Sequence, residues 1–137
     1  MKVLSVKNPW AFLIIHYGKD IENRMRKTNY RGRIAVHASL KSDEGAYQLW
    51  SSSPVMQKAL EAIRERRAEI EKLNGHIIGT VEIYACTYPE LTRATFPSPW
   101  AEMEAAWHYW LKDPIALEKA LPARGMLGLW EYGGLNE

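Results

Sequence analysis

Cysteine is almost absent. The 137 residues contain one, Cys86, which excludes an internal disulfide and a Cys-rich zinc site. Long apolar runs are missing as well. The longest, residues 11–15, falls far short of the roughly 20 residues a helix needs to cross a bilayer. No secretory leader is expected, because Met1-Lys2 leads into a short amphipathic segment and then Asn8-Pro9, without an apolar core or a small-residue cleavage site. Together with the lone thiol this gives a cytoplasmic expectation. There is no phosphate-cradling glycine loop, no nucleophile-elbow serine and no HExxH-type helix, so those enzyme classes have no support. His76 and His108 lack partners at metal-ligand spacing, and neither a metal nor a cofactor is expected.

What remains is ordinary for a folded chain. Hydrophobic residues make up 47% and charged residues 25%, enough apolar material to offset ordering entropy. The length suits one domain spanning residues 1–137. The net charge of +2 hides an asymmetry. Residues 1–41 carry nine Lys/Arg against two Asp/Glu, a net of +7, and residues 42–137 carry nine against fourteen, a net of −5. A basic segment of this kind points toward an anionic partner, unless folding interleaves it with the acidic one.

Periodicity places a short strand at residues 2–6. Asn8-Pro9 then reads as a helix start, followed by Trp10, Leu13, Ile14 and Tyr17 at helical spacing, with Gly18 as the stop. Residues 20–26 alternate, with Glu22, Arg24 and Arg26 on one face, and residues 33–39 alternate again. The short connection between them suggests a hairpin. A long helix is expected over residues 54–73 and a strand over 76–88. Ser98-Pro99 suggests a further helix through Trp100, Met103, Ala106, Trp107, Trp110 and Leu111, broken at Asp113-Pro114 and resumed to about Leu121. Residues 125–132 read as a closing strand. Strands and helices at irregular intervals fit a small barrel with helices packed on it better than repeated βαβ units.

The chemistry is concentrated in residues 18–24. Lys19 stands at a turn, and Glu22 and Arg24 share a strand face. A lysine held by a carboxylate suits proton transfer, and an arginine offers a planar fork to phosphate or carboxylate. The bland alternative is an exposed strand face with weak ion pairs. Lys27, Tyr30 and Arg31 form a turn suited to phosphate contact or simply to solvent. His37 and Ser39 share a face from which a base edge can be read, although a histidine among apolar neighbours is more often a satisfied core residue. Trp10 and Trp50, near polar turns, are candidates to stack a base, whereas Trp100, Trp107 and Trp110 read as core. Cys86 reads as a small packed hydrophobe.

These segments resemble a known family. Residues 5–11 (SVKNPWA), 18–24 (GKDIENR), 29–39 (NYRGRIAVHAS) and 125–130 (GMLGLW) are similar, in order and over nearly the whole chain, to the ASCH domain family. The family's glycine stands two places before the lysine. Here that place is Tyr17, and Gly18 abuts Lys19. The resemblance implies a PUA-like β-barrel with flanking helices and a cleft for RNA, a nucleoside or a nucleotide. It places the signature on Lys19, Glu22 and Arg24. Some bacterial members deacetylate acetylcytidine, with the catalytic lysine at the position of Lys19 and a threonine where this chain has Glu22. Other members are reported as ribonucleases, and cointegrator-type members use the domain for binding.

Three functions follow as expectations. The first is RNA or nucleoside binding, with phosphate on Arg24, Lys27 and Arg31, a base on Trp10, and Asn8, Tyr30, His37 and Ser39 around it. The second is hydrolysis in the same cleft by Lys19 and Glu22, with Arg24 beside them, acting on acetylated cytidine or on RNA. The third is a protein-interaction module using the charged helix around Arg64 to Glu71.

Overall fold

A computed structural model describes residues 1–88, 98–102 and 107–135. In chain order the elements are β1 (Lys2–Val6), α1 (Trp10–His16), β2 (Ile21–Arg24), β3 (Gly32–Ala38), a 3₁₀ turn (Glu44–Gln48), α2 (Pro54–Glu65), α3 (Arg67–Glu71), β4 (His76–Thr87), β5 (Trp107–Pro122) and β6 (Leu129–Glu131). The six strands form one sheet in the order β2-β5-β4-β3-β1-β6. Only β1 and β3 run parallel, and the other neighbours are antiparallel. The sheet curls into an open barrel of the PUA-like kind, with the helices packed against it.

The α1 helix lies between two apolar layers. Ala11, Ile14 and Ile15 pack on the sheet with Leu4, Val36 and Val81. Phe12 and Leu13 pack instead on Ile21, Leu60, Ile63 and Ile70. This explains a helix of seven residues that is apolar almost all round. Its start is set by Asn8, whose Oδ1 accepts from the Phe12 N–H at 3.1 Å. The loose sheet edges meet again across the barrel. Ser5 lies beyond the part of β1 that β6 covers, and Arg24 of β2 donates to its carbonyl oxygen at 2.6 Å. One guanidinium thus ties strands that stand far apart in the sheet order.

Five expectations from the sequence change. The hairpin does not form, because β2 pairs with β5 while β3 sits between β1 and β4. The helix expected through Leu111 is also replaced. Trp107, Trp110 and Leu111 belong to β5, and Met103 and Ala106 lie outside the described residues. The shorter helical piece after Asp113-Pro114 is the continuation of the same strand. Aromatic residues fill both faces of its first half, which imitates a broad helical stripe. Asp113 adopts a positive φ of 54° where the β4–β5 register shifts, and an irregularity is where a sheet accepts proline. The long helix is two helices, interrupted at Arg66 with φ −104° and ψ 13°. Finally, the closing strand begins only at Leu129. Among the described residues no helix is long and apolar enough to cross a membrane.

Candidate functional site

The site begins where α1 ends. The Tyr17 and Lys19 N–H groups both donate to the Leu13 carbonyl, at 3.0 and 3.1 Å. Gly18 between them has φ +73°, a conformation that glycine adopts without strain. This turn sends the Lys19 side chain into the protein, where it is 4% exposed. Its ammonium donates to the Ile21 carbonyl and, at 3.2 Å, to Glu22 Oε1. The other oxygen of Glu22 accepts from Arg24 Nε at 2.8 Å. The three signature residues therefore form one continuous chain of charge, from a buried ammonium through a buried carboxylate to a half-buried guanidinium. Its exposed-strand alternative does not describe the geometry.

Above this chain is a cleft of about 330 Å³, with Trp10, Lys19, Glu22, Trp100 and Glu102 in its lining. Trp10 is fixed, because its indole N–H donates to Asp43 Oδ2 at 2.9 Å. Its ring centroid lies 5.7 Å from the Lys19 ammonium, close enough for a cation–π contact. The opposite wall is tied to β2. Asn23 donates to the Trp100 carbonyl and accepts from the Glu102 N–H, both at 2.9 Å. Ser98 Oγ donates to Asp20 Oδ1 at 2.5 Å.

On the far side of Arg24 lie two grooves, of about 530 and 400 Å³. The first is lined by Arg26, Lys27 and Tyr109, the second by Ser5, His37, Ser39 and Arg124, and both by Arg24, Leu127 and Gly128. Tyr109 donates to the Arg26 carbonyl at 2.6 Å. Burial pushes its hydroxyl above the usual phenol range, with Cys86 adding to the shift.

The remaining candidates separate. Lys27 is exposed in the first groove and Ser39 sits on the second. Asn8 is fully buried and donates to the Ile70 carbonyl and to Asn74 Oδ1, so its amide is used by the fold and not by the cleft. Tyr30 donates to the Arg33 carbonyl. The Arg31 guanidinium turns back on the carbonyls of Thr28 and Tyr30 and lines neither groove. His37 is 1% exposed. Its Nε2 lies 2.7 Å from the Ala123 carbonyl and donates an N–H to it, and its Nδ1 lies 3.0 Å from Ser5 Oγ. Trp50 is exposed and lines none of these cavities. Trp100 is buried as expected, while Trp107 and Trp110 are half-buried. Glu102 and Arg124 were not marked by sequence pattern. Only the Gly125 that follows Arg124 belonged to a recognisable segment.

The cations of the segment proposed for partner contact are engaged within the chain although the segment itself stays largely exposed. Arg64 donates to the carbonyls of Tyr47 and Leu49, Arg66 bonds Tyr17 and Glu69, and Arg67 bonds Glu71 and Glu44. Its cations fasten the 3₁₀ turn and α1.

The sequence pattern of the ASCH domain matches residues 4–126. Over 130 residues the chain is 24% identical to Activating signal cointegrator 1 of Homo sapiens and 23% identical to that of Mus musculus. In both cases 93% of this chain is covered but only 22% of the relative, so the chain spans about a fifth of those proteins. With the family pattern matched over nearly the whole chain and a curled sheet of the expected kind, the protein belongs to the ASCH domain family.

Proposed function

We propose that this protein binds RNA or a nucleoside, with a base entering the cleft beside Trp10. The observation that carries it is the linked Lys19–Glu22–Arg24 chain at the cleft's edge, buried at one end and reaching a basic groove at the other. The immobilised indole of Trp10 offers a stacking face. Lys19 has three N–H donors, and two are engaged by Ile21 and Glu22, leaving one for a ligand oxygen. Arg24 and Lys27 supply positive charge for phosphate. Arg24→Ala is expected to weaken RNA binding and flatten its dependence on salt in a filter-binding titration. Unchanged affinity across several salt concentrations refutes the assignment.

One observation favours a second reading, hydrolysis. The cleft brings a buried ammonium and a buried carboxylate within 3.2 Å of each other. On an exocyclic amide, water would add to the carbonyl carbon and give a proton to Glu22. Lys19 would stabilise the developing oxyanion, and the C–N bond would break as the proton passes to the leaving amine. Acetylated cytidine and labelled RNA, each incubated with the wild type and with Lys19→Ala, test this. Turnover by the wild type that is lost in the variant supports hydrolysis, and turnover that survives Lys19→Ala defeats it.

A further inference from the structure

The cleft and the grooves carry opposite charge. The lining of the cleft sets one cation, Lys19, against two carboxylates, Glu22 and Glu102. Among the described residues, the linings of the two grooves contain Arg24, Arg26, Lys27 and Arg124 and no aspartate or glutamate. A phosphate is therefore repelled from the cleft and drawn to the grooves, while an uncharged heterocycle suits the cleft. The two regions meet at the Glu22–Arg24 bond. Residues two apart on one strand face stand roughly 6.5–7 Å from each other, so both regions lie within reach of a single nucleotide.

The chain around Arg124 is fixed in advance. The Ala123 carbonyl is held by His37 at 2.7 Å. Gly125 packs so closely that a Cβ there would lie 2.8 Å from His37 Cε1 and 2.9 Å from Ser5 Oγ. Ser5 is itself bound by the Trp130 indole N–H at 3.2 Å. The buried histidine thus anchors both neighbours of Arg124, while the Arg124 side chain is exposed and has no ion-pair partner among the described residues. A charged group left unpaired on an anchored backbone costs little to bring to a ligand.

We propose that the grooves form a phosphate subsite, with Arg24 at its head and Arg124 and Lys27 among the cations that have no ion-pair partner among the described residues. The ligand is then a phosphate-bearing nucleic-acid strand whose base enters the Trp10 cleft, and not a free nucleoside. This rests on the base-binding role proposed above for the cleft.

The test uses the full chain and three kinds of probe: the four ribonucleosides, their 5′-monophosphates, and a mixed-sequence single-stranded RNA octamer. Binding is followed by tryptophan fluorescence at several salt concentrations. Arg124→Ala and Lys27→Ala are each expected to weaken the octamer roughly three- to tenfold. Each should lower its log–log salt slope by about 0.7 and leave nucleoside binding unchanged. Lys58→Ala, on α2 and in the lining of neither the cleft nor the grooves, serves as the control. A matching loss with the monophosphates supports the subsite and shows that one terminal phosphate fills it. A loss confined to the octamer supports it and assigns it to internal phosphates. Equal weakening of nucleosides, or octamer binding indifferent to both substitutions, overturns the subsite while the cleft stands. If the wild type binds neither nucleosides nor the octamer, the cleft assignment itself falls. An octamer of glutamate that binds through Arg124 as tightly as RNA does would overturn the strand in favour of an acidic protein segment.

Discussion

Two regions of this molecule are rich in ion pairs, and they use them differently. Under the cleft, Lys19, Glu22 and Arg24 form a chain whose first two members are almost wholly shielded from solvent. Along α2 and α3, Arg66 pairs with Glu69, and Arg67 with Glu71 and Glu44, largely in water. Both regions pair arginine with glutamate. Water screens the helical pairs and supplies alternative partners, so each contributes little. The buried chain has no such substitute, and removing one member leaves a charge that solvent cannot reach. The first arrangement holds charge inside the protein beside a cleft, and the second decorates and fastens a surface.

The sharpest way to break this contrast is Glu22→Ala. It strands the Lys19 ammonium, and the expected cost is about 3–5 kcal/mol in urea unfolding. A loss below about 1 kcal/mol would put this pair in the same class as the surface ones. Tyr47, under the helical pairs, gives a smaller and opposite effect. Its hydroxyl is buried without a hydrogen-bond partner among the described residues, while the Arg67 guanidinium stacks 4.3 Å from its ring centroid. Tyr47→Phe should therefore be neutral or stabilising by up to about 1 kcal/mol at neutral pH.

The same residue adds a pH dependence. Burial, assisted by Glu71, pushes the Tyr47 hydroxyl up to about 12. A raised value means that its contribution is complete below the ordinary phenol pKa near 10 and is lost as pH rises toward 12. The Tyr47→Phe protein should lose less stability than the wild type between pH 10 and 12, measured by urea midpoints. A steeper alkaline loss in the variant would contradict this. Smallest of all is Glu69→Ala, which should leave the urea midpoint unchanged within error even at low salt. A clear drop would show that Arg66, through Tyr17 and the Phe12 ring, depends on Glu69 more than surface screening allows.

What could be seen in the sequence was what neighbouring residues decide. The α1 helix, its glycine stop and the Lys19 turn are local, and each stands where its capping and turn residues put it. The pairing of β2 was not legible, because its partner β5 begins 83 residues after Arg24. The β5 strand was misread for a related reason. Its first half packs aromatic side chains on both faces, and a shift in register absorbs Asp113-Pro114, which without β4 beside it looks like a break between helices. The interruption at Arg66 is marked by neither glycine nor proline, and its side chain is held by Tyr17, 49 residues earlier. Lys19, Glu22 and Arg24 stand within six positions of one another in the sequence, and the structure joins them in one chain of ion pairs. Arg124 comes to Arg24 only when β1 and β2 meet across the barrel.

Arg24 answers to two masters. One nitrogen is committed to Glu22 and another to the Ser5 carbonyl, so it is a fastener of the barrel before it touches any ligand. A lysine could keep the charge but not the fork, and would hold one of those partners at a time. Mutational drift at this position is therefore checked by folding even in a lineage whose groove has lost its ligand. Retention of arginine there is first a record of barrel closure. Arg124, which fastens nothing among the described residues, is the position free to change when the ligand does.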